Sequence, residues 1–153
     1  MVLTTSSIFN FRNYILFSLL LLTISCTNTS RNSQTDEQIE SQKQLILNIH
    51  DDLMPDMSEF KKLTKALNII EGDSILEENV RNSSSEAILN LQLADKAMWD
   101  WMHQFNIAFK DNNDSLTLTY YKHQYELIKE VEVLFEESRV EAEMLVLNYA
   151  RVQ

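Results

Sequence analysis

The residues best equipped for chemistry in this chain are three histidines, a group of methionines and a few closely spaced carboxylates. His50, His103 and His123 are its only histidines, with Met54, Met57, Met98 and Met102 close to them in sequence. Imidazole combined with soft thioether sulfur is a donor set suited to copper. Asp100 stands three residues before His103, the carboxylate-x-x-His spacing that bundles use to aim two ligands inward from one helix. Asp51, Asp52 and Asp56 could form a carboxylate cluster beside Pro55, although acidic residues around a helix kink ordinarily face water. Against a metal centre, no ligand motif is repeated, and a closed site needs several donors converging. The reading is therefore no metal and no cofactor, with His50, His103 and His123 as the candidate ligands of an alternative metal- or small-ligand-binding function. Catalysis has less support. The single cysteine, Cys26, has another use, and there is neither a Gly-rich phosphate loop nor a nucleophile elbow. The chain reads as non-enzymatic.

The densest stretch is ADKAMWDWMHQF, residues 94–105. On a helix, Ala94, Met98, Trp101 and Phe105 share one face, while Asp95, Trp99 and Met102 form a second row. Met and aromatic residues at this spacing are ordinarily bundle core. Trp99 lies about 200° around the helix from Trp101, at ~100° per residue, so both cannot face the same core. The outward one is a contact residue, because exposed aromatics are enriched at interfaces. Trp99, Trp101 and Met102 are the candidate interaction residues.

Long helices must position these residues. The 153-residue chain holds one glycine, Gly72, and one proline, Pro55, too few turn formers for a β-rich fold. Ile39, Ile46, Leu53, Phe60 and Leu67 form an apolar heptad series, with Gln42, Ile49, Asp56, Leu63 and Ile70 as its partner series. The stripe keeps its phase across Pro55, which predicts a kink and not a break. Gly72 can take a left-handed conformation after a helix end. Asp73 or Ser74 can cap the next helix, Ser74 and Glu77 having capping-box spacing. Ser83 and Glu86 offer an alternative start. The second stripe is Val80, Ala87, Ala94 and Trp101, with Leu91, Met98 and Phe105. After the polar segment 110–115, with an Asp or Ser cap, the third is Tyr121, Ile128, Phe135, Ala142 and Tyr149. Leu127, Val131, Leu134, Leu145 and Val152 flank it. Helices over approximately 36–71, 73–109 and 114–152 would be roughly 54 to 60 Å long. Matched lengths and short connections predict an all-α, coiled-coil-like, antiparallel up-down-up three-helix bundle over residues 36–153.

What precedes the bundle is a leader. Residues 1–25 carry one charge, Arg12, then the apolar run YILFSLLLLTI, then Ser25 directly before Cys26. Eleven apolar residues are about half of the ~20 needed to span a bilayer, and the pattern is that of a secretory signal peptide. Its end, LTISC, resembles the bacterial lipoprotein signal, with Thr23 where leucine is more usual. That resemblance implies cleavage before Cys26, a diacylglycerol on its thiol and acylation of the new amino terminus. Several acyl chains anchor a protein stably where one does not. Residues 26–35 read as the lipidated cysteine and a flexible polar tether. Thr27, in place of Asp, implies by resemblance to lipoprotein sorting rules the outer membrane. The lack of an early acidic cluster favours the periplasmic face.

The net charge is −10, or −11 without Arg12. Lys61, Lys62 and Lys65 are the closest cluster of bases, so nucleic acid is not an expected partner. Finally, IHDDLMPDMSEFKKL, residues 49–63, together with ADKAMWDWMHQF resembles a family of small uncharacterised Bacteroidota lipoproteins, some labelled "viral A-type inclusion protein". The matching residues are His50, Asp51, Met54, Pro55 and Met57, then Ala94, Asp95, Ala97, Met98, Trp101 and Met102. The resemblance implies a helical lipoprotein whose two motifs belong to one structural unit, and it implies no activity. The expected function is a lipid-anchored envelope module that contacts membrane lipid through acylated Cys26 and holds an envelope protein partner.

Overall fold

Heptad spacing builds the architecture. The computed structural model describes residues 27–152, which form α1 (Thr27–Gly72), α2 (Glu78–Gln104) and α3 (Asp114–Val152). Among the described residues there is no strand. By compactness the chain divides between Glu37 and Gln38. The described residues before that boundary are the opening turns of α1, and those after it form the bundle. The leader and Cys26 lie outside the described residues.

The apolar series are buried as their periodicity predicts. Ile39, Ile46, Leu53, Phe60 and Leu67 are all buried on α1, with Leu63 and Ile70 of the partner series. On α2 the buried apolar residues are Ala87, Leu91, Ala94, Met98 and Trp101, and on α3 they include Tyr121, Ile128, Val131, Phe135 and Ala142. Each large apolar side chain fully covered in this way contributes about 1.5–3 kcal/mol. Leu134 departs from its expected place in the third stripe and is 42% exposed. It precedes Phe135 by one residue, and a turn of ~100° carries it out of the seam.

Pairings across the seams fix the directions. His50 meets Trp101 (6.0 Å between ring centroids) and Ser85 Oγ donates to Glu71 at 2.6 Å, so α2 runs antiparallel to α1. Asn90 donates to Glu141 at 2.8 Å and Asn106 N–H to the Tyr120 hydroxyl at 2.7 Å, so α3 runs antiparallel to α2. Lys43 Nζ lies 5.0 Å from the centre of the Tyr121 ring, Phe60 packs on Phe135 at 4.7 Å, and the Tyr149 hydroxyl donates to Asp73 just past α1 at 3.1 Å, so α1 and α3 are parallel. The fold is an up-down-up three-helix bundle.

The helix ends differ from expectation. The lengths are 46, 27 and 39 residues, not matched. The first break does fall at Gly72, but no glycine takes a positive φ among the described residues, and a Cβ added at Gly72 would meet nothing within 4 Å. The turn is made by Asp73 instead. Its carboxylate accepts the Ile75 N–H at 3.0 Å and the Tyr149 hydroxyl at 3.1 Å, an Asx turn tied to α3. Neither Asp73 nor Ser74 caps α2. Glu77, in the cap position, makes no side-chain capping bond, and the Ser74–Glu77 box does not form. Residues 82–86 are mid-helix, where Ser84 and Ser85 donate back to the carbonyls of Val80 and Arg81 at 3.1 and 3.2 Å.

At its other end α2 stops at Gln104, five residues early. Phe105 turns extended (φ −75, ψ 123), and Asn106 accepts the Ala108 N–H at 3.0 Å, local bonding that competes with helix. The cap of α3 is neither the expected Asp nor Ser but Asn113, whose side chain accepts the Ser115 N–H at 2.9 Å. Helix α1 continues through Pro55 on an exposed face, where the missing N–H costs least. It also begins at Thr27, inside the segment expected as a tether. No Gly or Pro interrupts residues 27–54, and none of residues 33–38 is buried.

Candidate functional site

On α2 the stretch 94–105 separates into three layers. Ala94, Met98 and Trp101 are buried; Asp95, Ala97, Met102 and Phe105 are half-buried; Trp99, Asp100 and His103 are exposed. Trp101 is only 5% exposed, whereas Trp99 is 48% exposed. Trp101 is thus core and is corrected from a candidate interaction residue. Met102 packs against the core at its edge. Of the expected contact residues only Trp99 presents a large apolar surface, its ring 6.2 Å from that of His103.

The two sequence motifs do meet. His50 of the first lies against Trp101 of the second, and Met57 and Asp95 line one groove of about 290 Å³ between α1 and α2, together with Phe60, Lys61 and Leu91. Asp51 Oδ1 lies within hydrogen-bond distance of His50 Nδ1, at 2.9 Å.

The histidines do not converge. They share one end of the bundle, but His50 sits half-buried between α1 and α2, while His103 and His123 are exposed on α2 and α3. Among the described residues no three His, Cys, Asp or Glu side chains are grouped to hold a metal ion. Asp100 is paired with Lys96 and not with His103. The Asp51, Asp52 and Asp56 cluster also separates: Asp51 faces His50, Asp52 is exposed and Asp56 pairs with Arg139.

Sequence reasoning missed an aromatic clasp at the same end. Trp101 stacks on Phe105 (4.8 Å), Phe105 meets Tyr121 edge-on (6.5 Å), and Phe109 stacks on Tyr120 (4.1 Å). The buried Tyr121 hydroxyl shares its proton between the carbonyls of Ile107 (2.8 Å) and Phe109 (3.0 Å). These bonds hold the 105–113 loop across the bundle end. The adjacent tyrosines, facing Phe105 and Phe109 across a polar loop, were the available signal.

Burial, aided by the charges of Tyr120 and Glu40, raises the Tyr121 pKa above its ordinary 10.0. The folded chain therefore keeps a proton that the unfolded chain releases near pH 10. The neutral phenol's contribution is intact below about pH 10 and is lost as pH rises through the raised folded value. Tyr121→Phe is expected to cost about 1 kcal/mol at neutral pH, from the lost loop bonds, and to flatten the decline above pH 10. Urea unfolding followed by circular dichroism on both sides of pH 10 measures both effects.

Among the described residues no helix is long and apolar enough to cross a membrane. Compared with protein-family models, curated proteins and solved structures, the chain matches none of them.

Proposed function

We propose that this protein is a non-enzymatic, lipid-anchored module of the cell envelope that holds a protein partner. The observation that carries the reading is Cys26, placed directly after Ser25 at the end of the short apolar run Tyr14–Ile24. A thiol at that point is where a lipoprotein leader would be cut and acylated. Acyl chains on Cys26 would fix the module to the membrane, with the outer membrane and its periplasmic face as the proposed site. The half-exposed Trp99 supports the partner-holding role, because a large amphipathic ring at the surface is favoured at contacts.

The test is metabolic labelling with an alkyne fatty acid. The wild-type protein is expected to be labelled and to sediment with membranes. Cys26→Ser is expected to lose the label and to remain larger by the uncut leader. Labelling that survives Cys26→Ser would end the proposal.

A further inference from the structure

A second apolar seam runs along the outward side of α3. Val133, Val140 and Leu147 recur every seven residues, Met144 follows Val140 by four, and all four are between 43% and 58% exposed. None belongs to the stripe that the bundle buries. On α2, Leu89 and Leu93 are also half-exposed, and they flank Asn90, which is bonded to Glu141 of α3. Isolated exposed hydrophobics need no explanation. A row at coiled-coil spacing is different, because that spacing is the signature of a helix seated against another helix. From Val133 to Leu147 the row covers about 21 Å, at 1.5 Å per residue. An open groove lined by Val133, Glu136, Glu137, Val140, Glu141 and Met144 lies along it.

Charge selects the occupant. Glu136, Glu137 and Glu141 border the apolar row. Of the cations nearby, Lys129 is paired with Glu132 and Arg139 is engaged by Asp56 at 3.6 Å and by Glu143 at 3.3 Å, while Arg151 stands beyond the end of the row. A second copy of the chain would set one acidic margin against another, and like charges in register oppose pairing. An anionic lipid surface would be repelled in the same way.

We propose that this α3 seam receives an amphipathic helix of a partner protein. Apolar residues of that helix at heptad spacing would fill the row between Val133 and Leu147, and its Lys or Arg residues would face Glu136, Glu137 and Glu141. The bundle then gains a fourth helix against the outward side of α3. The inference rests on the reading of the protein as a partner-holding module, and it specifies the docking face and the chemistry of the partner.

The experiment places the photo-crosslinking residue benzoylphenylalanine at Val140, and separately at Trp99, in the full-length protein in cells that make it. Crosslinked peptides are then sequenced by mass spectrometry. The Val140 adduct is expected to be a segment of a different protein with an apolar heptad pattern and net positive charge. Glu136→Lys with Glu137→Lys is expected to lower its yield about ten-fold with helical circular dichroism unchanged, while Glu37→Lys with Glu40→Lys on α1 leaves the yield alone. A Val140 adduct with a second copy, a lipid or an acidic segment would overturn the inference, as would an equal fall with both charge reversals. An adduct at Trp99 and none at Val140 would overturn the seam and leave the partner-holding reading standing. Adducts at neither position would overturn both.

Discussion

Phe135→Ala is expected to destabilise the bundle by about 3–5 kcal/mol, the usual cost of emptying a buried aromatic site. Phe135 is fully buried at mid-length of α3 and packs on Phe60 of α1 at 4.7 Å. Its removal takes away both its own burial and the aromatic contact joining the two parallel helices. Long helices cannot collapse locally onto such a void without shifting along the whole seam, which places the cost toward the upper end. A domain of this size has about 5–15 kcal/mol in total, so the substitution removes a large fraction of its stability. Thermal unfolding by circular dichroism reads the effect directly, with a midpoint drop of roughly 10–20 °C. A midpoint unchanged within a few degrees would mean that Phe135 is not in the core.

The second large effect is a contrast between neighbours. Trp101→Ala is expected to cost about 3–5 kcal/mol, whereas Trp99→Ala should change stability by no more than about 0.5 kcal/mol. Trp101 is buried against His50 and Phe105, and Trp99 is half-exposed with His103 as its ring neighbour. The Trp101 indole N–H has no hydrogen-bond partner among the described residues, so Trp101→Phe should be far milder than the alanine variant, because it removes an unsatisfied donor as well as some area. Denaturant unfolding ranks the three. Iodide quenching adds an independent readout: Trp99→Phe leaves one shielded tryptophan, and Trp101→Phe leaves one accessible. Equal quenching of the two variants would sink the assignment.

The heptad series were legible because burial has the same period as the residues that serve it. Ile46, Leu67, Leu91, Ile128 and Phe135 needed no long-range information to be placed inside. The same counting puts Trp101 in the second stripe, so its burial is legible in the sequence. Helix ends were less legible. Asp73 could cap α2 or make an Asx turn, and its bond to Tyr149, far along the chain, favours the turn. The histidines show a related gap: antiparallel register gives height along the bundle but not position around it. At one height, His50 faces a seam while His103 and His123 face outward. One stripe per helix accounts for a three-helix core, and Val133, Val140 and Leu147 form a second stripe on α3 that such a core does not require.

We propose that the helical bundle is held at a membrane through Cys26. It is tested most directly by the intact mass and amino-terminal fragment of the protein extracted in detergent from its own membranes. The account predicts a chain starting at Cys26 and carrying a thioether-linked diacylglycerol, with or without a further acyl group on its amine. A chain that retains residues 1–25, or that begins elsewhere with an unmodified Cys26, would contradict it.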